Sequence, residues 1–146
     1  MGEAPADRAE PRALAVIGGS PLVQVAQRAV DLERAAAFYR DLLDIPVAAT
    51  FDPPGLAFLV LGDTRLLLDR GAPSALLYFA VDGLDARVEA LRASGVEIIA
   101  EPRTIFEHDD DSLGPGRTAE RMAFLRDSEG NTVALVEHVT LDERRG

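Results

Sequence analysis

The chain contains no cysteine. Disulfides, thiolate nucleophiles and cysteine-ligated zinc or iron–sulfur centres are therefore excluded. It contains no lysine either, so all 15 basic residues are arginine. That removes Schiff-base chemistry and a lysine-bearing P-loop. Two histidines occur, His108 and His138, so a metal site would have to draw on carboxylates. Excess positive charge is also missing. The 25 acidic residues give a formal net charge of −10, whereas a nucleic-acid binder needs a basic face to neutralise phosphates. No apolar run approaches the ~20 residues of a membrane span. The first residues, Met1-Gly-Glu-Ala-Pro-Ala-Asp7, have neither the basic region nor the apolar stretch of a signal peptide. A cytoplasmic protein is expected, with neither nucleic acid nor membrane as a partner.

What is present suffices for one domain. With 146 residues, 47% of them hydrophobic, the chain can bury a real core. Residues 1–20 read as a tail or arm, 21–139 as a single domain and 140–146 as a charged tail. Within the arm, Ala13-Leu-Ala-Val-Ile-Gly-Gly-Ser20 is apolar and ends in glycines. It has no third spaced glycine and runs into Pro21, so it reads as an arm packing on the domain or a partner chain, not as a nucleotide loop.

Residues 22–30 read as a strand. Asp31 stands at an N-cap, and Leu32, Ala35, Ala36, Tyr39, Leu42 and Leu43 follow at helical spacing. The helix closes at Ile45-Pro46. Three strands are predicted at 46–51, 56–61 and 64–69, punctuated by Asp52-Pro-Pro-Gly55 and Gly62-Asp63. The second half repeats the plan. A strand over 75–81 leads into a helix carrying Leu84, Val88 and Leu91 and stopped by Gly95. A strand over 96–100 is expected to close at Pro102, with His108 to Arg117 as a loop. Two strands, 121–126 and 132–138, flank the turn Asp127-Ser-Glu-Gly-Asn131. At an offset near 52, Asp31 falls on Gly83, Leu32 on Leu84, Ala36 on Val88 and Tyr39 on Leu91. The expected fold class is α+β: two βαβββ modules, 21–70 and 75–139, each a curved sheet with a helix on its outer face. Neither is large enough to stand alone, and their sheets are expected to face one another over a small-molecule cleft.

Residues 22–138 resemble the vicinal oxygen chelate superfamily of glyoxalases, bleomycin-resistance proteins and dioxygenases. The likeness is carried by Val25-Ala-Gln-Arg-Ala-Val-Asp31-Leu-Glu-Arg-Ala-Ala-Ala-Phe38-Tyr39, by Phe79-Ala-Val-Asp82-Gly-Leu-Asp85 and by Phe124-Leu-Arg-Asp127-Ser-Glu-Gly130-Asn131. The resemblance implies four metal-ligand positions, two per module. In this chain they fall on Gln24, Leu67, Leu76 and Ala134. One of the four has a donor atom, so neither a metal nor a catalytic residue is expected. A displaced set of Gln24, Asp69 and His138 would not converge, because two residues move a donor along a strand by about 6–7 Å.

The candidate ligand-binding residues are Gln24, Arg28, Leu67, Asp69, Leu76, Tyr78 and Ala134. Gln24 reads as a polar lining residue. Arg28 reads equally as a contact for an anionic ligand group or as half of an ion pair at the rim. Tyr78 reads as an aromatic wall or as core packing. Glu107-His-Asp-Asp-Asp111 reads as a solvated acidic loop, able to act as a lid, His138 as a rim residue, and Phe38 and Tyr39 as helix core. The expected function is capture of a small cationic or aromatic ligand, without cofactor, by a homodimer of the antibiotic-resistance type. The alternative is a lyase, isomerase or dioxygenase using one relocated divalent metal.

Overall fold

The computed structural model describes residues 17–142. Ile17–Gly19 form a short exposed 3₁₀ turn, and most of the predicted arm lies outside the described residues. Module one comprises β1 (Gln24–Arg28), α1 (Leu32–Ala37), β2 (Val47–Phe51), β3 (Leu56–Leu61) and β4 (Thr64–Asp69). Module two comprises β5 (Leu77–Ala80), α2 (Leu84–Ala93), β6 (Ile98–His108), β7 (Thr118–Arg126) and β8 (Thr132–Thr140). The sheet orders are β1-β4-β3-β2 and β5-β8-β7-β6, so the repeat read in the sequence is a repeat in space. In each sheet the first strand runs parallel to the last, and the remaining pairs are antiparallel.

Asp31 caps α1 as expected, its carboxylate accepting from the Arg34 N–H at 3.0 Å. The helix widens into a π-helical turn over Phe38–Leu42 and ends where Asp44 takes a positive φ of 59°. Gly95, at φ 90°, follows the end of α2.

One expected boundary is wrong. Pro102 does not close the strand that begins the second half's last three. β6 runs on to His108, with irregular pairing to β7 on both sides of Pro102. The physical reason is position: β6 is an edge strand, where a missing N–H costs the sheet no ladder bond. The loop therefore starts at Asp109, and β7 begins at Thr118, earlier than the sequence pattern placed it.

Strand alternation decides the core. Ala57, Leu59, Leu66 and Leu68 from module one and Leu125, Val133 and Leu135 from module two are fully buried. They join Leu32, Ala35, Phe38 and Tyr39 of the first helical segment and Leu84, Val88 and Leu91 of α2 in one cluster. The modules thus share a core on the helix side of their sheets. The faces turned away from the helices remain open in the single chain, where Val60, Leu76, Tyr78 and Phe106 are each about half exposed. The expected opposition of two sheets across a cleft is not completed within one chain, because burial of the helices draws the two sheets together by their other faces.

A buried polar clasp joins the modules. Asp127 accepts from the Tyr39 hydroxyl at 2.5 Å, from the backbone N–H groups of Glu129 and Asn131, and from Asn131 Nδ2, the last three at 2.8 Å. Asn131 Nδ2 also donates to the Arg28 carbonyl at 2.8 Å. Glu129 accepts from the Asp31 N–H at 2.7 Å and from Arg34 Nε at 2.8 Å. Gln27, fully buried, receives the Ala75 N–H and donates to the Ala75 carbonyl. The start of module one's helix is thereby tied to the last turn of module two, and β1 to the linker. Burial, then the neighbouring Asp127 charge, pushes the Tyr39 hydroxyl far above the ordinary tyrosine range. Burial alone would raise the Glu129 carboxyl, but hydrogen bonds from Arg34, the Asp31 N–H and Ser128 outweigh it and bring it down to about 2.

Two outcomes follow from the clasp. Tyr39→Phe leaves Asp127 short of a donor in a dry site and should cost about 1–3 kcal/mol in urea unfolding. Glu129 titrates below its ordinary value of 4.5 when folded, so its contribution is complete above that pH and lost as pH falls towards about 2. Acid unfolding of Glu129→Gln should lack that limb; an unchanged acid profile would contradict the assignment.

Candidate functional site

The seven candidate residues fall in two groups, one on the open face of each sheet. On sheet one, Gln24, Ala26 and Arg28 alternate out of β1 beside Arg65, Leu67 and Asp69 of β4. Gln24 Oε1 accepts from Arg65 Nε at 3.0 Å. Arg28 Nη1 reaches the Glu129 carbonyl at 3.4 Å, so a backbone oxygen of the inter-module turn is its partner. Asp69 Oδ1 accepts from the Gly71 N–H at 2.8 Å and shapes the exit from β4. Leu67 lies between Ala26 and Phe58 in the ladder. On sheet two, Leu76 immediately precedes β5, and Tyr78 pairs with Ala134, which pairs with Phe124. The Tyr78 and Phe124 rings meet edge to face at 6.2 Å. Ala134 is fully buried beneath its neighbours, whereas Leu76 is half exposed.

The registers of the two modules agree. Leu67 pairs with Ala26, two residues after Gln24, and Ala134 pairs with Tyr78, two residues after Leu76. The four positions inferred from the resemblance are therefore equivalent by the internal repeat. Two cavities, of about 530 and 510 Å³, lie elsewhere. The first runs between the ends of β3 and β5, past Ile45, Val60 and Phe79, and the second lies between α1 and β2. Neither is lined by any of the seven residues.

The sequence reading missed two groupings. Asp127, Glu129 and Asn131 were read only as turn formers, yet their side chains carry the clasp. His108, read as part of a solvated loop, is buried at the end of β6, with Nε2 2.6 Å from Glu120 Oε1. His138 Nε2 lies 3.2 Å from the same oxygen. Glu120 sits opposite both Phe106 and His138 in the sheet; the period-two alternation of strands would have placed Glu120 and His138 on one face had β6 and β7 been given their full lengths.

Residues 22–135 match the family model of the glyoxalase/bleomycin resistance protein/dioxygenase superfamily. The chain belongs to this superfamily. No curated protein matches it in sequence. Among solved structures it is similar to TnmS3, an antibiotic binding protein from Streptomyces sp. CB03234, at 21% identity and a TM-score of 0.65, covering 82% of this chain and 96% of that one. It is also similar to UcmS2, at 20% identity and 0.62, covering 80% and 97%. Lactoylglutathione lyase from Agrobacterium tumefaciens aligns at 22% identity and 0.57, covering 81% and 93%. These likenesses establish the shared fold.

The donor set at the four family positions does not fit a metal. Leucine and alanine offer no lone pair, and one neutral glutamine amide, already engaged by Arg65, cannot hold a divalent ion. Their burial predicts how each would tolerate a donor. Ala134→Glu places an unpaired carboxylate in a dry position and should cost a few kcal/mol. Leu76→His, half in solvent, should change stability by less than about 0.5 kcal/mol. Thermal melts of the two variants check the contrast; equal losses would mean that Ala134 is not the interior member of the set.

Proposed function

We propose that the protein captures a small aromatic or cationic molecule in the cytoplasm, without making or breaking bonds, as a homodimer. The observation that carries this reading is the identity of Leu67, Leu76 and Ala134: side chains that can only pack stand where the fold would otherwise hold a metal. Around them, Phe58, Tyr78 and Phe124 supply aromatic surface on the same open faces. Such surface suits flat, apolar ligand bodies, and aromatic faces also attract cations. The net charge of −10 concentrates cationic ligands near the protein. The antibiotic-binding description of TnmS3 agrees with capture as a use of this scaffold.

The homodimer is motivated by the open faces. Half-exposed Val60 lies with Phe58 on the open face of sheet one, apolar surface that a second copy would cover, giving the ligand a second wall. Sedimentation equilibrium at micromolar concentration should return twice the 15.6 kDa chain mass; a species of single-chain mass refutes the dimer.

Ligand capture is tested by thermal shift against a library of aromatic cations. A ligand present at 100 times its Kd adds about 2.7 kcal/mol, and Tyr78→Ala should remove that shift while leaving the unliganded melt nearly unchanged. A library without a single stabilising compound, or shifts that survive both Tyr78→Ala and Leu67→Glu, would reject the proposed surface.

A further inference from the structure

We infer that His108, Glu120 and His138 form a binding site for one divalent transition-metal ion of the zinc class, separate from the superfamily's four ligand positions. The chain has two histidines, one on β6 and one on β8, and both direct Nε2 to the same oxygen of Glu120 on the strand between them. One ligand atom from each of the three residues lies within 4.8 Å of the others. Two imidazoles and a carboxylate are a donor set suited to first-row divalent ions, with a coordination position left for water or a ligand atom.

The geometry is close to what an ion requires. With bonds of about 2.0–2.2 Å, tetrahedral ligand atoms stand about 3.4 Å apart. His138 Nε2 is already 3.2 Å from Glu120 Oε1, and His108 Nε2, at 2.6 Å, needs to withdraw by less than about 1 Å. The side chains are sheltered but reachable: those of His108, Glu120 and His138 are 3%, 18% and 30% exposed.

The loop over the cluster is built to leave this room. A Cβ added at Gly114 would stand 3.0 Å from His108 Cε1 and 3.3 and 3.4 Å from the two Nε2 atoms. A side chain there would press the donors aside by a few tenths of an ångström, and glycine leaves them in place. The loop's return is held where the Arg117 N–H donates to the His108 carbonyl at 2.6 Å and the Thr118 hydroxyl donates to the Pro115 carbonyl at 2.6 Å. The site is also distant from the capture surface. His138 is four residues beyond Ala134 on the same face, about 13 Å along the strand. The inference is independent of ligand capture and survives its failure.

The test is zinc titration of the full chain after removal of metal by chelator, read by calorimetry and by the ring resonances of the two histidines. The expected result is one zinc per chain, with both imidazoles shifting together. His138→Ala and Glu120→Gln should each weaken binding at least 100-fold, while Asp109→Asn, which alters the neighbouring acidic loop, should not. Absence of binding at micromolar zinc overturns the site, as does binding that survives both His138→Ala and Glu120→Gln. The resonances of the unaltered protein decide the matter even where a variant misfolds: zinc binding that leaves either histidine unshifted refutes the assignment.

Discussion

The carboxylate of Asp127 is the point on which the two modules turn. It lies in a tight turn of module two, yet its shortest hydrogen bond comes from the hydroxyl of Tyr39 in module one. Two backbone N–H groups and the Asn131 amide complete its environment. In a medium of low dielectric such a set is favourable only when every donor is in place. The apolar core is permissive about the angle between two small sheets. A satisfied buried carboxylate is not, since a small displacement leaves charge without donors. Glu129 extends the same turn to the first residues of α1 through the Asp31 N–H and Arg34. Helix start, β1 and final turn are therefore positioned as one unit.

That unit fixes where the open faces lie. Because the clasp and the shared core both occupy the helix side, the surfaces bearing Leu67 and Phe58 on one sheet and Tyr78 and Phe124 on the other are left free. Their chemistry departs from what the fold permits. The register places two equivalent positions in each half, but three of the four side chains can only pack and the fourth, Gln24, is engaged by Arg65. The polar groups of the second sheet gather instead at its far end, around Glu120. An apolar surface and a donor cluster thus share one face without sharing residues.

Much of this was legible in the chain because the signals were local. Asp31 before an apolar stripe, Gly95 after one, and glycine- or proline-bearing turns between short alternating segments marked the two helices and the eight strands, though not the π-helical turn over Phe38–Leu42. The offset near 52 gave the pairing into modules. Two kinds of feature were out of reach. Pro102 read as a terminator because its effect depends on whether the strand is internal or at an edge, which is a property of the sheet. The roles of Tyr39, Gln27, Asp127 and His108 depend on partners 12 to 88 residues away. Tyr39 matched the helical stripe equally well as a purely apolar residue would, so its hydroxyl announced nothing. The same offset carries Gln24 onto Leu76, but only strand register relates Leu67 to Ala134 across the two halves.

The irregular pairing of β6 carries a consequence for how the molecule meets others. An eleven-residue strand at a sheet edge would ordinarily be a template on which a foreign strand could grow. Pro102 withholds an N–H, and the breaks in register near Ala100, Arg103 and Phe106 bend the line of the remaining donors and acceptors. Lateral growth of the sheet is frustrated along its longest exposed border. Neighbours are turned away from the rim and left with the broad faces, where recognition depends on side-chain shape rather than on a backbone common to every protein.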